Sequence, residues 1–165
     1  MNGKRLVLHC IGMIGFALTC TAALAQTGST ARLYCHTVGY TPPEPLGDRE
    51  GHSISVTQGT CRVEGGPTDG SILTGTNIIE WDKGNGVILT GAGVTRKPGA
   101  TTAYQHSEGK VTLTMTDGKV TGSTASGRGR VTMATGGAAA LNGKTYSYTS
   151  KTVEPGQYVV DVKYD

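Results

Sequence analysis

Downstream of its first twenty-five residues the chain contains no phenylalanine, because the single Phe, Phe16, lies upstream. Trp81 is the only tryptophan, and the remaining aromatic rings are tyrosines. No segment there repeats apolar residues at i, i+3 and i+4 over three turns, which excludes a helical bundle. No run approaches the ~18 apolar residues of a membrane helix. Charge is scarce too. The formal net charge is +3, and removal of Lys4 and Arg5 lowers it to +1, too little to drive binding to nucleic acid or an anionic membrane. Arg128-Gly129-Arg130 is read as a solvated strand face or turn. There is no Asn-x-Ser/Thr sequon, no C-x-x-C pair and no G-x-S-x-G turn.

The first residues have the layout of a secretory signal peptide. A basic head (Lys4, Arg5) precedes an uncharged apolar run, Leu6 to Cys20, and Ala23-Leu24-Ala25 is a small-x-small cleavage site. Residues 1–25 are therefore expected to be removed, leaving 26–165 as a single domain that starts at Gln26 and works in the periplasm or outside the cell. Cleavage takes Cys10 and Cys20 away and leaves Cys35 and Cys61, an even pair in an oxidising compartment, which predicts one disulfide.

What remains is rich in Gly, Thr, Val and Tyr, the material of strands and tight turns. Strands are predicted at Arg32–Val38, at Ser53–Thr57 and Thr60–Glu64 (one bent strand or two), at Ser71–Asp82 and at Gly86–Lys97. Further strands follow at Thr101–His106, Lys110–Thr116, Lys119–Ala125, Arg130–Thr135, Ala138–Leu141, Lys144–Thr149 and Gln157–Tyr164. Gly39–His52, with three prolines, is a long loop. Asp117-Gly118 is a type I′ hairpin signal that sets Met115 opposite Val120 and Leu113 opposite Gly122. The class is all-β: a small antiparallel barrel of about eight strands, since closure removes exposed edges. Glycines inside the strand-like runs (Gly91, Gly93, Gly122, Gly127) read as bulges or barrel corners.

Ser71–Asp82 and Gly86–Lys97 are apolar on both faces. Ile72 and Ile78 share one face, and Leu73, Ile79 and Trp81 the other. That fits a barrel wall covered from outside, as by another copy of the chain. Glu80 is the acid closest to this apolar surface. With Trp81 turned outward at the mouth, Glu80 faces the interior, where a desolvated carboxylate could act as a base or hold a polar ligand head. His106 and Tyr104, two apart on a strand, share a face and could form an acid/base pair. Arg62 and Glu64 also share a face, as an interior ion pair or as rim charges. Ser107-Glu108-Gly109-Lys110 has S-x-x-K spacing, but its glycine and the Thr/Val alternation after it make a turn into a strand. No metal site is expected from His36, His52 and His106, which lack ligand spacing, and no cofactor motif is present.

Gly47-Asp48, Thr57-Gln58-Gly59-Thr60-Cys61-Arg62-Val63, the Asp69-Gly70 turn, the long strand Ser71–Asp82 and Gly84-Asn85-Gly86-Val87 leading to Gly91 follow an order that resembles the allene oxide cyclase and dirigent barrel superfamily. Gly136-Gly137-Ala138 is compatible with it. The resemblance covers about half of the mature chain. It implies an eight-stranded barrel, often trimeric, with a hydrophobic cavity, and no catalytic residue of the family transfers.

Three functions follow as expectations. The first is an exported barrel that binds a small, largely apolar molecule, with Glu80 and Trp81 at the mouth and Arg62, Glu64, Tyr104 and His106 as polar contacts. The second is an isomerase, cyclase or lyase without cofactor, using Glu80 and His106. The third is a structural or interaction protein with a filled barrel. The scarcity of large side chains favours an unfilled barrel or a homo-oligomer.

Overall fold

The computed structural model describes Thr30–Asp165, and the expected signal segment and cleavage point lie outside those residues. The strands are β1 (Thr30–Tyr40), β2 (Glu44–Pro45), β3 (His52–Glu64), β4 (Ile72–Asp82), β5 (Asn85–Lys97), β6 (Ala100–Thr116), β7 (Lys119–Gly136), β8 (Thr145–Glu154) and β9 (Gln157–Tyr164). All pairings are antiparallel, and β1 pairs with both β9 and β3, so eight strands close on themselves and the two-residue β2 is appended to β3. Following paired residues from Ser53 through Trp81, Gly86, Val111 and on round the wall returns to β3 at Val63, ten residues from the start. A stagger larger than the strand number tilts the strands steeply and leaves room inside.

The predicted all-β barrel is the observed one, and the differences are local. β6 and β7 are each one long strand, not two short ones. A bulge at Ser107, between the pairs His106↔Gly129 and Glu108↔Arg128, absorbs the irregularity read as a turn. Ala138–Leu141 is not a strand. It contains a short 3₁₀ turn, Ala139–Leu141, whose Leu141 joins the buried core. Asp117 and Gly118 have φ of 50° and 73°, as a type I′ turn requires. Met115 faces Val120 as expected, but a further bulge at Thr121 sets Leu113 opposite Ser123.

Cys35 and Cys61 are directly paired across β1 and β3 and form the predicted disulfide, with Cα atoms 4.0 Å apart. It ties together the pair of strands that closes the barrel. One end of the barrel is sealed: Thr68 and Ser71 of the β3–β4 turn are buried there, as are Ala138 and Leu141. Among the described residues no helix is long and apolar enough to cross a membrane.

Candidate functional site: the barrel lumen

The barrel encloses a cavity of about 480 Å³ whose wall draws on all eight barrel strands. It opens at the end opposite the seal, where Tyr40 lines the cavity while 56% exposed. Trp81 points inward. Its indole Nε1–H donates to Ser55 Oγ at 2.8 Å, and its ring lies against Gly86, where a Cβ would come 2.8 Å from Trp81 Cε3. Ile79, Ile88 and Val111 belong to the same buried cluster.

The inward course of Trp81 reverses the expectation for Glu80. Alternation along β4 then turns Glu80 outward, where its carboxylate meets His52 Nε2 at 2.7 Å. Arg62 and Glu64 also lie on the outer face and pair with each other. None of these three lines the cavity. Tyr104, His106 and Trp81 do. The structure thus brings Tyr104, His106 and Trp81 into one lumen and leaves Glu80, Arg62 and Glu64 outside it.

Tyr146 and Tyr148 on β8 complete the polar side of the lumen. His106 Nδ1 is 3.1 Å from Tyr146 Oη, and its ring lies 4.7 Å from that of Tyr148 and 5.5 Å from that of Tyr104, centroid to centroid. Burial pushes the His106 imidazole down to about 4, so it is neutral at pH 7. Burial raises Tyr104, Tyr146 and Tyr148, the last to about 12. Neither member of the His106–Tyr146 pair therefore exchanges protons readily near neutrality. The pair can still donate and accept hydrogen bonds.

The tyrosines explain the glycines. A Cβ on Gly59 would sit 2.1 Å from Tyr158 Oη, one on Gly75 2.2 Å from Tyr104 Oη, and one on Gly109 2.5 Å from Tyr148 Oη. Each glycine is a socket that lets a phenol from another part of the wall lie flat against the backbone. Gly93 and Gly127, expected as bends, serve the same purpose for Tyr104 and Tyr148. Asn77, which sequence reasoning passed over, lies beside His106 over Gly91. A Cβ there would be 2.2 Å from Asn77 Oδ1 and 2.3 Å from His106 Cδ2. Nothing in the sequence singles Asn77 out. Its place beside His106 depends on β4 and β6 both pairing with β5. Among the described residues no group of three His, Cys, Asp or Glu side chains converges to hold a metal ion.

Fold and lumen define the class as far as geometry reaches: an eight-stranded antiparallel barrel, disulfide-closed, with an internal cavity open at one end. No family model matches the chain, nor does any curated protein or solved structure.

Proposed function

We propose that this is an exported β-barrel protein that binds a small, largely apolar molecule in its lumen. The observation that carries the reading is the cavity itself: about 480 Å³, within the ordinary range of ligand sites, with a surface that is more apolar than polar and into which uncharged Thr, Ser, Tyr, Asn77, His106 and Gln157 side chains also open. A filled barrel would leave no such space. The buried disulfide supports an oxidising compartment, periplasmic or extracellular. The outward face of β3–β5 supports a homo-oligomer. Val56 is paired with Ile78 there, and Val87 and Leu89 are each about half exposed.

Binding is favoured over cofactor-free isomerase, cyclase or lyase chemistry on this barrel. The reason is the His106–Tyr146 pair, in which burial lowers the imidazole and raises the phenol, away from the neutral range where acid/base catalysis works best. The weak resemblance to the allene oxide cyclase and dirigent barrels is compatible with either reading.

The test is titration of the mature protein with apolar dyes and fatty ligands, followed by Trp81 fluorescence and by native mass spectrometry, which also gives the oligomer mass. Saturable binding that shifts Trp81 emission and is abolished by filling the lumen with Ala125→Phe is expected. No binding across a broad apolar panel would leave the structural reading instead.

A further inference from the structure

The wall of the cavity carries no formal charge. None of the described residues that line it is Lys, Arg, Asp or Glu. The charges of the same strands, among them Arg62, Lys110, Arg128 and Asp161, are on the outer surface. His106 is the one lining side chain besides the tyrosines that ionises in the ordinary range, and burial keeps it neutral at pH 7. A carboxylate or ammonium brought into this lumen would lose its water and find no counter-charge, which is costly.

Uncharged polar side chains lie at several places on the wall, among them Thr95, Thr102, Ser123, Thr152 and Gln157, and at one of them the lining's single imidazole meets an amide. His106 Nδ1 is occupied by Tyr146, but His106 Nε2 and the Asn77 amide, which meet over Gly91, have no hydrogen-bond partner among the described residues. Of the described side-chain atoms, Tyr148 Oη alone is both fully buried and unpartnered, so the free groups of Asn77 and His106 border open space and not packed wall. Trp81, Ile88 and Val111 give the cavity its apolar surface.

We propose, resting on the reading of the barrel as a binding protein, that the lumen selects uncharged amphiphiles, whose single hydroxyl or carbonyl group docks between Asn77 and His106 while the hydrocarbon body lies along Trp81, Ile88 and Val111. The amide offers donors and an acceptor, and the imidazole nitrogen serves as either according to tautomer, so both alcohols and ketones fit. The volume of about 480 Å³ holds roughly sixteen water-sized groups, enough for a chain of about ten carbons with its polar head.

The experiment is a comparison of ten-carbon probes at pH 7 with the mature protein, read by Trp81 fluorescence and by calorimetry: 1-decanol, decan-2-one, 1-chlorodecane, decylamine and decanoate. Decanol and decanone are expected to bind at least about tenfold tighter than the amine and the acid anion. Asn77→Leu and His106→Phe should each weaken decanol about threefold to tenfold and leave chlorodecane within about twofold, because only the hydrogen bond is removed. Decanoate binding within about threefold of decanol would overturn the inference while leaving the binding reading intact. So would variants that weaken decanol and chlorodecane equally. No binding of any probe would overturn the binding reading and this inference together. Should either variant fail to fold, Asn77→Ser and the wild-type ranking of the probes still decide the matter.

Discussion

His52 Nε2 lies 2.7 Å from Glu80 Oε1 on the outside of the barrel, while His52 Nδ1 lies 2.5 Å from Asp48 Oδ1. A neutral imidazole has one N–H and cannot donate to two carboxylates, so this ring is an imidazolium. It fastens the proline-rich β1–β3 loop, which carries Asp48, to the wall strand that carries Glu80. Arg49 extends the link by pairing with both Asp48 and Asp82.

The first prediction follows from the direction of these shifts. Asp48 foremost, then Glu80, raise the His52 pKa above its ordinary 6.5. The resulting stability is fully present below the unfolded value of about 6.5 and is lost as pH rises through the higher folded value. Melting temperature is therefore expected to fall between about pH 6.5 and the raised folded value, and Glu80→Gln should flatten that decline. An identical pH profile in the variant would remove Glu80 from the latch. On the acid side His52 lowers the Asp48 pKa, so Asp48 contributes stability above about 3.8 and loses it as pH falls through its lower folded value.

His106 should titrate in the opposite sense. Its folded pKa of about 4 lies below the unfolded value, so the unfolded chain takes up a proton first as pH falls, and His106 costs stability between about pH 6.5 and 4. Histidine ring NMR should show His106 neutral at pH 5 and His52 giving up its proton only above the ordinary 6.5. Two rings titrating together near 6.5 would refute both assignments.

Gly59→Ala is expected to destabilise by about 1–3 kcal/mol, the range for overpacking. The clash is almost wholly with one atom, since the new Cβ would be 2.1 Å from Tyr158 Oη and no closer than 3.4 Å to anything else. Tyr158→Phe removes that atom, so the double variant should recover most of the loss. Additive losses in a denaturation double-mutant cycle would reject the socket.

Replacing Cys35 and Cys61 by alanine should cost about 3.5 kcal/mol in the chain-entropy model, given their separation of 26 residues. Chemical denaturation with and without the disulfide measures this. A difference below about 1 kcal/mol would mean that the β1–β3 closure persists in the denatured state.

Gly118→Val forces a β-branched residue to a φ of 73° and should melt the hairpin tip. The last ties to neighbouring strands are Leu113 N–H to Gly84 O and Ser123 N–H to Thr152 Oγ1, with Gly122 packed on Thr152, so Thr114–Thr121 is held by its own hairpin partner alone. The strain of more than about 1 kcal/mol should therefore appear as faster amide exchange confined to residues 114–121, and unchanged exchange there would count against the turn.

The sequence by itself determined the all-β class, the disulfide pair, the Asp117-Gly118 turn and which residues share a face, because strand alternation has a period of two and turn chemistry is local. It grouped Leu73, Ile79 and Trp81 correctly, and Tyr146 with Tyr148. Which of two alternating faces becomes the inside was decided only by closure. Trp81 turns inward because Ser55 and the bare backbone of Gly86 receive it there, and Glu80 is thereby sent out to His52. The glycine sockets were likewise illegible. Gly59 and Tyr158 are about a hundred residues apart and meet only when β9 and β3 flank β1 from its two sides. The pairing of Asn77 with His106 has the same origin. A face can be read from one strand, but a site inside a barrel is made by strands that the stagger brings level.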